Sequence, residues 1–158
     1  MPLVNRIRPK IGDVIEIPTV SGLAYAHYTH KHTHPPKYGA LLNILPGIHK
    51  SRPNDFSKVV LQKPQFITFF PLNAACNRGI VNIVASEEIP EHAQAFPTFR
   101  SCIKSTNGNG PWWLWDGKTE WQVGKLERGM ESLPLRGILN DKLLVERIIS
   151  GWHHELDI

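Results

Sequence analysis

The segment Pro111-Trp112-Trp113-Leu114-Trp115-Asp116-Gly117-Lys118-Thr119-Glu120-Trp121 contains four of the five tryptophans of the chain. Asp-Gly is strongly preferred at the centre of a type I′ hairpin turn, where both central residues need a positive φ. A two-residue turn of this kind places Trp115 opposite Lys118 and Trp112 opposite Trp121. We therefore predict a β-hairpin here and expect the rest of the fold to be arranged around it.

Alternation of side chains along a strand gives the predicted hairpin two different faces. The face expected to pack in the core carries Trp112, Leu114, Thr119, Trp121 and Val123. The opposite face, called the hairpin face below, carries Trp113, Trp115, Lys118, Glu120 and Gln122. Large aromatic side chains among polar ones are typical of protein-binding surfaces. The hairpin face is therefore the predicted partner-binding site, with Trp113 and Trp115 as its anchors; the alternative is that the C-terminal helix covers both tryptophans.

The remaining chain is rich in segments with the composition of strands. They contain β-branched and aromatic residues and end at proline, glycine or polar turns, and they span residues 10–18, 23–33, 38–47, 65–71, 80–85 and 98–103. Residues 72–78 are expected to form one helical turn that ends before Gly79. Asn140 is the expected N-cap of a C-terminal helix over residues 141–150, in which apolar residues recur at helical spacing and Gly151 ends the helix.

These elements predict a single domain over residues 1–158. Its expected class is α+β, mainly β, with antiparallel strands that form a partly open barrel or a strongly bent sheet, and with a C-terminal helix. The 158 residues can bury a hydrophobic core without disulfides or metals. The basic segment 1–10 has no apolar core of the kind that a secretory signal needs.

Composition narrows the expected surroundings and partners of the chain. No apolar run approaches the roughly 20 residues that span a bilayer, so no membrane partner is expected. Two cysteines, Cys76 and Cys102, make no disulfide framework and favour a cytoplasmic location. The formal net charge of +4 comes from scattered lysines and arginines. This charge pattern supports an anionic partner surface and gives no support for a dedicated nucleic-acid binder.

The histidine-rich segment 27–34 is the most visible pattern with possible metal chemistry. On a strand, His30, His32 and His34 share one side, with alternate residues about 6.5–7 Å apart. Alternate histidines can ligate zinc. However, three successive ligands on a straight strand rarely converge on one ion, and no acidic residue or cysteine lies nearby in sequence. The expectation is an exposed strand face, with a metal site as the lesser alternative.

Other candidates for catalysis have simpler structural interpretations. Arg78 could lower the pKa of Cys76, but the apolar residues before this cysteine favour a buried structural thiol. The acidic loop that contains Glu87, Glu88 and Glu91 is expected to be solvated surface. No phosphate-binding glycine loop, Gly-x-Ser-x-Gly or His-Glu-x-x-His motif occurs. The sequence therefore predicts neither an enzyme nor a cofactor.

Several short motifs together resemble the immunity protein 26 family of bacterial polymorphic toxin systems. They are the opening stretch Lys10-Ile11-Gly12-Asp13-Val14-Ile15-Glu16-Ile17-Pro18, the region from Phe66 through Gly79 to Val84, Trp113-Leu114-Trp115-Asp116-Gly117, Leu126-Glu127-Arg128-Gly129 and Val145-Glu146-Arg147-Ile148. The resemblance covers most of the chain. It implies a non-enzymatic cytoplasmic protein that binds and neutralises a cognate toxin.

The leading hypothesis is thus an immunity-type binding protein, a monomer or a homodimer, that occludes the active surface of a toxin. The alternative from another class is a small nucleic-acid-binding β domain, in which bases stack on Trp113 and Trp115 near Lys118 and Lys125. A metal-binding protein based on the three histidines is a further alternative.

Overall fold

The computed structural model describes residues 5–157. Residues 1–4, on which part of the expectation about a secretory signal rests, and residue 158 lie outside this range. The strands and helices in chain order are β1 (Asp13–Thr19), β2 (Gly22–His32), β3 (Gly39–Ile44), β4 (Phe66–Phe70), α1 (Leu72–Asn77), β5 (Asn82–Ser86), β6 (Phe99–Ser101), β7 (Lys104–Ser105), β8 (Gly108–Asn109), β9 (Trp112–Trp115), β10 (Glu120–Gly124) and α2 (Asp141–Ser150).

All strand pairs within the sheets are antiparallel. The large sheet has the order β4-β3-β2-β1-β5, the small sheet has the order β10-β9-β6, and β7 pairs with β8. The sheets are open, and the predicted class, mainly β with a C-terminal helix, is confirmed. The short strands β7 and β8 form a two-residue ladder in which Lys104 pairs with Asn109 and Ser105 with Gly108.

The main core lies between one face of the large sheet and the two α-helices. Alternating residues of the strands, such as Ile15, Leu42 and Phe66, are at most 1% exposed on this face. Helix α2 contributes Leu144 and Ile148 to the same cluster. Burial of this continuous apolar surface is the main favourable contribution to folding.

The opposite face of the large sheet carries two separate apolar clusters. One surrounds Tyr25 and Phe56. The other joins Leu41 and Phe69 of the large sheet to Phe99 and Trp115 of the small sheet. The second cluster therefore fixes the small sheet against the large one.

A β-bulge interrupts the pairing of β2 with β3. Tyr28 pairs with Leu42, but His30 pairs with Leu41, so Thr29 is an extra residue without its own partner. Such a bulge changes which side chains point to a given face. Here it places His30 on the side of the sheet that Leu41 occupies, opposite the helices.

The ends of α2 follow the sequence prediction. Asn140 Oδ1 accepts a hydrogen bond from Leu143 N at 2.8 Å, as an N-cap does. Gly151 has a φ of +69°, and Trp152 N donates to Arg147 O, which closes the helix. Among the helices of residues 5–157, none combines the length and the apolar character that crossing a bilayer requires.

Candidate functional site

The tryptophan hairpin forms, but with a longer loop than predicted. Trp115 pairs with Glu120, Leu114 with Trp121, and Trp113 with Gln122. The Asp116 carboxylate accepts hydrogen bonds from the backbone N–H groups of Lys118 at 3.0 Å and Thr119 at 2.8 Å. This side-chain turn holds a four-residue loop, so the predicted two-residue turn is wrong.

The pairing differs from the prediction by two positions. A register shift of two residues leaves each strand residue on the same face of the sheet. Trp113, Trp115, Glu120 and Gln122 therefore still share one face, and Leu114 and Trp121 share the other. The burial of the two faces is nevertheless mixed, because Trp121, predicted to be in the core, is 38% exposed.

Trp115 is buried and cannot act as a surface anchor. Its side chain is only 5% exposed. The guanidinium carbon of Arg136 lies 4.3 Å from the centre of its ring, and the Phe96 ring meets it edge to face at 5.7 Å. These two side chains come from segments of irregular structure, rather than from the C-terminal helix, and they cover Trp115, one of the two predicted anchors.

Trp113 remains exposed, with 36% of its surface accessible. It lies between Ser101 of β6 and Gln122 of β10. Gln122 and Lys118 are exposed, and Glu120 forms an ion pair with Arg136. Four of the five residues of the hairpin face are thus on the surface, around one aromatic side chain.

A second exposed apolar side chain follows β6, the strand in which Ser101 pairs with Trp113. Ile103 is 82% exposed and lies two residues beyond Ser101, the partner of Trp113. Its carbonyl accepts a hydrogen bond from Gly110 N at 2.7 Å, which keeps it at the end of the small sheet. Exposed apolar side chains therefore lie on β9, at Trp113, and just after β6, at Ile103.

The predicted histidine face is not an exposed strand face. His30 Nε2 donates to Gln94 O at 2.8 Å, and His30 Nδ1 lies 3.0 Å from the Thr29 hydroxyl. His32 is 7% exposed and meets the Trp115 ring edge to face at 4.9 Å. Burial, with the nearby His34, lowers the pKa of His32. The loop that carries Phe96 covers this end of the sheet, which the sequence pattern did not indicate.

The three histidines do not form a metal site. His34 lies beyond the end of β2, and its ring centre is 6.3 Å from that of His32. In the range 5–157, no group of three histidine, cysteine or acidic side chains is placed to hold a metal ion. The lesser alternative of a metal-binding protein therefore has no assembled ligand set in this part of the chain.

Cys76 is the buried thiol that the sequence predicts, whereas Cys102, also expected to be a buried thiol within a strand, is only half-buried and follows the end of β6. Cys76 is 3% exposed, and burial raises the pKa of its thiol to about 11, so Arg78 does not activate it. Burial also raises the pKa of the Cys102 thiol. Glu88 and Glu91 are exposed. Thiol and carboxylate chemistry thus has no prepared centre at these positions.

Two buried charged residues were not recognised in the sequence. Glu16 is 3% exposed and accepts hydrogen bonds from Arg52 at 2.7 and 3.0 Å and from the Tyr25 hydroxyl at 2.8 Å. The Arg52 guanidinium lowers the pKa of Glu16. Arg100 is fully buried, and its guanidinium carbon lies 4.8 Å from the centre of the Trp112 ring. Burial lowers the pKa of Arg100.

Comparison with known proteins adds no relative to this description. A scan against protein-family models, a search of curated proteins and a search of solved structures each found no match. The geometry itself defines a β-hairpin that presents one exposed tryptophan among polar side chains.

Proposed function

We propose that this chain is a non-enzymatic, cytoplasmic binding protein of the immunity type. It neutralises a cognate bacterial toxin by covering the active surface of that toxin. The observation that carries the proposal is the exposed Trp113 on the hairpin face, beside Gln122 and the ion-paired Glu120. The resemblance to the immunity protein 26 family supports the same function.

The hairpin face has the rigidity that favours tight binding. Trp115 is packed in the core directly beneath the hairpin loop, and Asp116 holds the loop by two hydrogen bonds to its backbone. The Arg136 side chain links Glu120 to the Tyr38 hydroxyl. A surface that is already ordered loses less conformational entropy on binding. Trp113 is therefore presented as a preformed aromatic anchor.

Charge indicates the kind of toxin surface that fits. The formal net charge of +4 favours association with an acidic surface. Lys118, predicted opposite Trp115, lies instead in the hairpin loop, where it adds an exposed positive charge to this end of the hairpin. A toxin with an acidic surface around an apolar pocket would thus complement this face.

The test compares two tryptophans on opposite faces of the small sheet. Trp113→Ala removes the proposed anchor, and Trp121→Ala is the matched control, since Trp121 has nearly the same exposure. The partner is the toxin domain encoded by the neighbouring gene, purified as an inactivated variant so that it can be expressed. Calorimetry measures the Kd of its complex with this chain. Loss of a central aromatic anchor weakens binding by about 30-fold or more, whereas the control changes Kd by less than about 3-fold.

The outcomes separate the proposal from its alternatives. Protection of cells from the active toxin should fall with Trp113→Ala and persist with Trp121→Ala. Equal effects of the two substitutions would remove the hairpin face from the interface. No binding to the toxin, together with binding to single-stranded nucleic acid that weakens steeply with salt, would favour the nucleic-acid-binding class instead.

A further inference from the structure

A cavity of about 560 Å³ opens on the large sheet, on the face opposite the helices. Its floor is formed by Thr29, Asn43 and Ile67, from the neighbouring strands β2, β3 and β4. Its walls come from residues 61–64 and 92–97. The cavity therefore lies between the two apolar clusters of this face. Its volume is within the range of pockets that hold small molecules.

The side chain of Asn43 is the main polar feature of the floor. It is only 5% exposed, yet its carboxamide makes no hydrogen bond to any residue in the range 5–157. The amide atoms reach the solvent of the cavity, since His32 Nε2 is the one fully enclosed side-chain nitrogen or oxygen without a partner among residues 5–157. An amide placed in this way, facing a cavity, offers a donor and an acceptor side by side.

The β-bulge adds a second polar group to the same floor. Thr29, the extra residue of the bulge, is 4% exposed and lines the cavity beside Asn43. In the neutral His30 ring the proton lies on Nε2, which donates to Gln94 O, so Nδ1 accepts from the Thr29 hydroxyl. The Thr29 oxygen then has lone pairs left to accept a further hydrogen bond. Bulges are frequent next to active sites because they change the direction in which a side chain points.

We infer that this cavity binds a small, uncharged, planar molecule with an amide-like edge. The Asn43 carboxamide pairs with a neighbouring donor and acceptor on that edge, and Thr29 accepts from a second N–H. Ile67, Ala93 and Phe96 supply an apolar lining for the body of the ring. This site is separate from the hairpin face and does not depend on the proposed toxin binding.

Benzamide is the probe, and N,N-dimethylbenzamide is its matched control because it keeps the ring and carbonyl but has no N–H donor. Titration of the ¹⁵N-labelled chain by NMR measures Kd from the shifts of amides around the cavity. We expect benzamide to shift the Asn43 side-chain NH₂ resonances and those of residues 92–97. The dimethyl compound should bind at least about 10-fold more weakly.

Asn43→Leu is the informative variant, since leucine has nearly the same size and removes the amide. It should weaken benzamide binding at least about 10-fold while Tm changes by less than about 3 °C, because the Asn43 amide makes no hydrogen bond within residues 5–157 that the variant would lose. Asn82→Leu, in exposed strand β5 of the same sheet, should change neither quantity. Thr29→Val should weaken binding at least about 3-fold and provides a second variant if Asn43→Leu does not fold.

Three results would overturn the inference. One is that no NMR resonance around the cavity shifts at about 10 mM benzamide. This concentration is on the order of the highest Kd that such a titration detects. Another is equal affinity for the two compounds. The third is unchanged benzamide binding by a folded Asn43→Leu chain. Trp113→Ala should leave benzamide binding unchanged, so failure here is distinguishable from failure of toxin binding.

Discussion

Replacing Arg100 with methionine tests how one buried side chain holds the C-terminal residues against the small sheet. The guanidinium donates to four backbone carbonyls, and the donor–acceptor distances are 3.0 Å to Leu133, 2.7 Å to Asp157, 3.0 Å to Glu131 and 2.6 Å to His154. The side chain is fully buried and is part of the short strand β6. Methionine keeps the apolar stem but removes all four donors.

The expected loss of stability follows from these contacts. A hydrogen bond to a charged group contributes about 1.5–3 kcal/mol, so four would sum to roughly 6–12 kcal/mol if they were independent. They are not independent, because the carbonyls lie in surface segments that can turn towards water. Methionine also removes the free-energy cost of burying a charge. We therefore expect Arg100→Met to lower the free energy of unfolding by about 3–5 kcal/mol.

Urea unfolding at neutral pH measures this change, and hydrogen exchange locates it. Arg136 N, which donates to Arg100 O, and Leu156 N, which donates to His153 O, should exchange faster in the variant. Arg128→Met is the matched control, since Arg128 is exposed. A loss below about 1 kcal/mol, or exchange that is equally faster throughout the large sheet, would refute the reasoning.

Two further predictions concern buried ionisable groups. Burial and the nearby Arg100 lower the pKa of His154 from 6.5 to about 4. The unfolded chain therefore binds more protons between these values, and stability should fall by about 3 kcal/mol as the pH drops from 6.5 to 4. His154→Gln should flatten that part of the pH profile, and an unchanged slope would contradict it. Arg52→Met leaves the buried Glu16 carboxylate with Tyr25 as its hydrogen-bond partner. Because Arg52 is largely exposed, we expect a smaller loss of stability at pH 7 than for Arg100→Met, measured by urea unfolding against Lys50→Met.

The parts of the fold that rest on local chemistry were predictable from the sequence. Asn140 and Gly151 marked both ends of α2, and the strands β1 to β4 followed from runs of β-branched and aromatic residues. The hairpin around Asp116 was predictable as a hairpin, but its register was not. Asp-Gly fits a two-residue turn, whereas here the Asp116 carboxylate accepts from two backbone N–H groups and stabilises a longer loop.

The candidate site depended on contacts between distant parts of the chain. Trp113 and Trp115 occur at alternate positions and have the same local signal, yet only Trp115 is covered, by Phe96 and Arg136. The bulge at Thr29 likewise has no glycine or proline to mark it. Side-chain alternation indicates which residues share a face; it does not indicate which loop lies above that face.

Residues near the C-terminus affect whether copies of this chain associate through their sheet edges. Strand β4 is an edge strand of the large sheet, but backbone groups on its outer side have hydrogen-bond partners. Leu139 N donates to Phe69 O at 3.0 Å, and Ile67 N lies 3.1 Å from His154 Nε2. Uncovered strand edges promote pairing between molecules and aggregation. Leu139 and His154 therefore protect this edge of the sheet, and loss of these two contacts would leave backbone groups of β4 free to pair with a second copy of the chain.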